Sequence, residues 1–126
     1  ITKIGSIVHR TQGLSFQVMA GSASFLLATL QLGGVGAVAA LANVLGNPVC
    51  ELHKLFKDGN MADAIELQKK LIAPNSAVTK EYGIPGLKKV MDWVGLYGGP
   101  TRSPLQPLTE ADVSRLRNVF VDAGYL

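Results

Sequence analysis

Phe16-Gln17-Val18-Met19-Ala20-Gly21-Ser22-Ala23-Ser24-Phe25-Leu26-Leu27-Ala28-Thr29-Leu30-Gln31-Leu32-Gly33-Gly34-Val35-Gly36-Ala37-Val38-Ala39-Ala40-Leu41 lies within a run, Thr11 to Cys50, that holds no charged side chain. Such a stretch is either a bilayer span, for example around Phe25 to Ala42, or buried secondary structure. Punctuation separates the two. Phe16 to Ala20 is a short strand-like run that stops at Gly21-Ser22, and Ser22 is a good helix N-cap. Ala23 to Leu32 then carries Phe25, Leu26, Thr29, Leu30 and Leu32 at helical spacing and ends at Gly33-Gly34, where a C-cap fits. Val35 to Leu41 is a second apolar run, closed by Asn43 and Gly46-Asn47-Pro48. In a bilayer, Gln17, Gln31 and Asn43 would stay unpaired at a cost of about a few kcal/mol. The stretch therefore reads as strand, helix, strand. Neither strand alternates, which predicts burial on both faces, as in a parallel sheet flanked by helices.

The flanks are helical. Ile1 to Thr11 places apolar residues at 1, 4, 7 and 8. Pro48 sits in a first helical turn, and Val49, Leu52, Leu55 and Phe56 form a stripe ending near Asp58-Gly59. Asn60 caps a segment in which Met61, Ile65, Leu71 and Ile72 share a side, with a kink or break expected at Pro74-Asn75. Gly83-Ile84-Pro85-Gly86 opens another helix, which stops by Gly98-Gly99-Pro100, and Thr109 to Asp112 has capping-box spacing before a last one. Two strands cannot hold a parallel sheet alone, so further strands are expected from residues outside this chain or from another chain.

The 126 residues are 48% apolar and 17% charged, with a net charge of +3. This excludes disorder and supports one core. The basic residues form no stripe, so neither nucleic acid nor an anionic membrane is an expected partner. No secretory signal is visible, and the first residue, Ile1, suggests a processed chain or a fragment.

Few residues offer chemistry. His9 and His53 have no carboxylate or thiol at ligand spacing, so no metal is expected. Cys50 lies among apolar helix positions and reads as a buried, inert thiol. Ser22 and Ser24 follow a strand but lack the glycine two positions on that a nucleophile elbow requires. Gly33 to Gly36 precedes its strand, which argues against a phosphate loop. Lys54, Lys57, Lys69, Lys70, Lys80, Lys88 and Lys89 read as solvated faces, and Arg102 as a structural ion-pair partner.

Taken in order, Gly21-Ser22-Ala23, Gly33-Gly34-Val35-Gly36, Leu41-Ala42-Asn43, Gly83-Ile84-Pro85-Gly86-Leu87-Lys88 and Tyr97 to Leu105 resemble the C-terminal part of the dihydrodipicolinate synthase and N-acetylneuraminate lyase family. Within it they look most like the branch of mitochondrial 4-hydroxy-2-oxoglutarate aldolases. The resemblance implies an α/β fold: the C-terminal part of a (β/α)8 TIM barrel, helix six to helix eight, over residues 1–58, then a helical extension over 59–126. It implies a mostly helical chain with two short parallel strands, a homotetramer, no cofactor and mitochondrial localisation. It also implies class I aldolase chemistry, in which a lysine forms a Schiff base with a pyruvate-type carbonyl and a tyrosine relays protons. Both residues would lie upstream of Ile1, leaving none of the catalytic residues in this chain. Lys3 is on a helix and is not an imine former.

Carried over residue by residue, Gly21 lies against the bound keto acid at the end of strand seven. Val38 offers a strand-eight carbonyl beside the lysine and pyruvate moiety. Where sialic acid lyases hold sugar hydroxyls with acidic residues and a serine, this chain has Ala23, Ser24 and Ala40, so a short keto acid is the expected substrate. The expected reaction is cleavage of 4-hydroxy-2-oxoglutarate to pyruvate and glyoxylate. The alternatives are a dihydrodipicolinate synthase-like condensation, or a non-catalytic helical interaction module if the chain is complete as given.

Overall fold

A computed structural model describes residues 1–126. The chain runs through α1 (Thr2–Arg10), β1 (Met19–Ala20), a 3-10 turn (Ala23–Phe25), α2 (Leu26–Gln31), β2 (Gly36–Ala37), a second 3-10 turn (Ala40–Asn43), α3 (Gly46–Lys57), α4 (Met61–Ser76), a π-helical turn (Ala77–Glu81), α5 (Gly83–Trp93) and α6 (Glu110–Asp122). β1 and β2 pair in parallel, Met19 with Gly36 and Ala20 with Ala37. No helix is long and apolar enough to cross a membrane.

The strands are shorter than the apolar runs that announced them. Val35 N–H to the Val18 carbonyl and Val38 N–H to the Ala20 carbonyl, both 2.9 Å, extend the pairing by one bond at each end. Burial on both faces is not found: Val18 and Ala20 are buried against the helices, whereas Met19 and Val38 are exposed at 49% and 73%. The helices cover one face, and this chain supplies nothing to cover the other. Gly34 lets α2 return to the sheet, since a Cβ there would overlap the Thr29 methyl and stand 2.9 Å from the Thr29 carbonyl oxygen.

The core consists of Ala23 from the first 3-10 turn, Leu26, Leu27 and Leu30 from α2, Leu41 and Leu45 from the segment between β2 and α3, Val49 and Leu52 from α3, Ala64 and Leu71 from α4, Ala77 and Val78, Val90 from α5, and Leu116 and Phe120 from α6. Each large side chain buried there contributes about 1.5–3 kcal/mol. One cluster thus runs across the boundary expected at residues 58 and 59.

Pro74 does not break its helix. It is buried inside α4, which runs on to Ser76 and widens into the π-helical turn, closed by Tyr82 N–H to the Ala77 carbonyl at 3.0 Å. Proline removes one backbone bond, but Leu71, Ala77 and Val78 on either side are anchored in the core, and that packing holds the axis. The buried stripe of α4 also differs from the expected one: Leu71 is in it, but Ile65 and Ile72 are exposed at 40% and 47%. Ala64, Gln68, Leu71 and Asn75 face inward instead, at alternating spacings of four and three.

Candidate functional site at the strand ends

In a parallel sheet both strands end on the same side, so the register of Ala20 with Ala37 sets Gly21 and Val38 next to each other. Both are exposed, and a Cβ built on Gly21 would meet nothing within 4 Å. Backbone thus lines an open surface at the strand ends.

The turn beyond Gly21 is held from α4. Ser22 caps it, its Oγ accepting from Ser24 N–H at 3.3 Å, and also accepts from Asn75 Nδ2 at 2.9 Å. Ser22 Oγ and Ser24 Oγ lie 3.1 Å apart. Seven residues before Asn75, Gln68 accepts from Leu27 N–H at 2.9 Å through Oε1 and donates to the Ala23 carbonyl at 3.0 Å through Nε2. Asn75 is 3% exposed, and its Oδ1 has no partner. The capping role expected of Ser22 holds, while Gln68 and Asn75 were not foreseen. Their trace in the sequence is two amides on the buried stripe of a helix, where a polar side chain needs a partner.

The other candidates stay apart. His9 is exposed on α1, and His53 Nε2 lies within hydrogen-bonding distance, 3.2 Å, of the Val35 carbonyl oxygen. Cys50 is exposed, not buried: Leu45, Val49 and Leu52 take the inner face, which turns position 50 outward beside Glu51. No three His, Cys, Asp or Glu side chains come together as metal ligands.

Lys88 is not merely solvated. Its Nζ donates to the Gly98 and Pro100 carbonyls at 2.9 Å each, while Asp92 Oδ1 accepts from Gly98 N–H at 2.9 Å, pinning the loop after α5. Arg102 is exposed and in no ion pair, and the three pairs present, Lys54–Asp58, Lys69–Glu66 and Arg115–Asp112, are local to their helices. Hydrogen bonding to Asp58 raises the Lys54 amine above its usual range, and burial raises the Tyr125 phenol.

The model of the dihydrodipicolinate synthetase family matches residues 2–122. The chain belongs to that family. Among its relatives, the 4-hydroxy-tetrahydrodipicolinate synthase of Methanoculleus marisnigri is 32% identical over 124 residues, covering 98% of this chain and 43% of the relative. That of Gluconacetobacter diazotrophicus is 32% identical over 111 residues, covering 88% and 37%. The solved dihydrodipicolinate synthase of Thermotoga maritima superposes with a TM-score of 0.89 at 28% identity, covering 99% of this chain and 43% of that one. The Bacillus anthracis structure gives 0.89 at 27%, covering 95% and 41%. Family members of this kind are lyases or condensing enzymes, and the chain spans about two fifths of the length of these four relatives.

Proposed function

We propose that this chain is the C-terminal portion of a (β/α)8-barrel enzyme that binds pyruvate as a Schiff base. In this reading residues 1–58 contribute helix six to helix eight and residues 59–126 form the helical extension. The observation that carries it is the pair of open strand ends, Gly21 beside Val38, in a chain of this family. Ligands of barrel enzymes lie at the C-terminal ends of the strands. There Gly21 leaves room for the keto acid, and Val38 presents backbone to it. The imine-forming lysine and the relay tyrosine lie upstream of Ile1. Lysine adds to the ketone and water leaves; in cleavage the protonated imine accepts the electron pair of the breaking carbon–carbon bond, and in condensation the imine loses an α-proton and the enamine so formed supplies the pair for the new bond.

The relatives' names support a dihydrodipicolinate synthase-like condensation as the reaction. Cleavage of 4-hydroxy-2-oxoglutarate in a mitochondrial enzyme is the second reading, supported by the segments 83–87 and 97–105 and by Ala40, which offers a polyhydroxylated tail no partner. Assembly into a homotetramer belongs to both. One solved relative, 27% identical, is described as the first monomeric dihydrodipicolinate synthase variant, which supports association as the usual state of the others.

Borohydride reduction in the presence of pyruvate tests the chemistry. The full-length polypeptide carrying this chain is expected to gain one reduced pyruvate adduct upstream of Ile1. Absence of an adduct, or an adduct on a lysine of residues 1–126, overturns the proposal. Formation of 4-hydroxy-tetrahydrodipicolinate, against release of glyoxylate from 4-hydroxy-2-oxoglutarate, then separates the two reactions.

A further inference from the structure

The direction of the hydrogen bonds around Ser22 is constrained. A hydroxyl oxygen has two lone pairs, and both are taken at Ser22, one by Asn75 Nδ2–H at 2.9 Å and one by Ser24 N–H at 3.3 Å. The Ser22 proton is therefore committed to donation, and Ser24 Oγ is 3.1 Å away. Ser24 Oγ then acts as acceptor, and its own proton is free to be donated elsewhere. Asn75 holds this arrangement although its Oδ1 is buried without a partner, so a fully satisfied fold does not account for an asparagine here.

We propose that Asn75 is a positioning residue for the strand-end site: through Ser22 it sets the polarity of the two serine hydroxyls, so that Ser24 is presented as a hydrogen-bond donor to an acceptor oxygen of the keto acid lying against Gly21. The inference rests on the reading of this site as one for a keto acid. Asn75 touches no ligand itself. It works from α4, 53 residues along the chain from Ser22, and Gln68 on the same helix fixes the backbone of the same turn at Ala23 and Leu27. Because an amide is both donor and acceptor and a carboxylate only an acceptor, Asn75→Asp keeps the shape and reverses the polarity: Ser22 must then donate to residue 75 and can no longer donate to Ser24.

The test uses the full-length enzyme. Asn75→Asp is expected to raise KM for the keto acid about tenfold, with kcat within about threefold, the signature of lost binding to substrate and transition state alike. A structural defect would instead lower the active fraction, reducing kcat at unchanged KM, and that result overturns the proposal. Ser22→Ala cuts the same chain and is expected to raise KM similarly. In its background Asn75→Asp should add nothing further, whereas additive effects would show that Asn75 does not act through Ser22. If Asn75→Asp fails to fold, an unchanged KM in Ser22→Ala is enough to overturn the idea. Borohydride trapping of pyruvate on the unsubstituted enzyme keeps the two failures apart: no adduct removes the keto-acid reading and this inference with it, while an adduct with unaltered KM values removes the inference alone.

Discussion

Gly98 shows how one missing side chain can set the course of a loop. Its N–H donates to Asp92 and its carbonyl accepts from Lys88, and a Cβ at this position would overlap the Lys88 carbonyl oxygen. The close approach leaves no rotamer to relieve the overlap, because the atom met is backbone. Gly98→Ala is expected to destabilise the protein by about 2 kcal/mol or more, read as a lower midpoint of urea unfolding with an unchanged slope. The glycine pair at 98 and 99 was legible as a helix stop. The role of Lys88 was not, because its partners are main-chain carbonyls 10 and 12 residues away, and no pattern of charges records a carbonyl. Cys50 misled for a related reason: apolar residues nearby in sequence, Val49 and Leu52, do not fix which way a helix position turns.

At the scale of elements, the type and order of nearly every segment could be read from periodicity, capping residues and glycines, but the extents of the strands could not. Strand length is set by the partner available, and here the paired register covers two residues on each strand. The break expected at Pro74 is absent because packing on both sides of a proline outweighs one lost backbone bond. The candidate site was half legible. Gly21 and Val38, named from the resemblance, stand side by side at the strand ends, whereas the α4 amides that hold the adjoining turn were hidden in a segment read only for its apolar residues. Gln68→Leu would take from the Leu27 N–H its side-chain acceptor and leave the Ala23 carbonyl only its bond from Leu26 N–H. A loss of about 2 kcal/mol is expected, with faster hydrogen exchange at the Leu27 amide than at the amides of α6, where the fold is untouched.

For the whole molecule, the exposed Met19 and Val38 on one side of the sheet contrast with a continuous core on the other. That core draws on both sides of the α3–α4 connection, where Asp58, Gly59 and Asn60 are exposed and Gly59 adopts a positive φ of 77°. The connection makes the turn between two helices, but the bonds that join the halves are elsewhere: Gln68 and Asn75 reach back to Ala23, Leu27 and Ser22. A protease nick at Gly59 should therefore give two fragments that co-elute on gel filtration and separate only in denaturant. Elution as separate species would show that the contacts across this point are too weak to hold the halves together. Expressed as two polypeptides, residues 1–58 and 59–126 are then a complementing pair, each lacking what the other needs to order the end of β1, and so a reporter split at this loop would regain its strand-end turn only when both pieces meet.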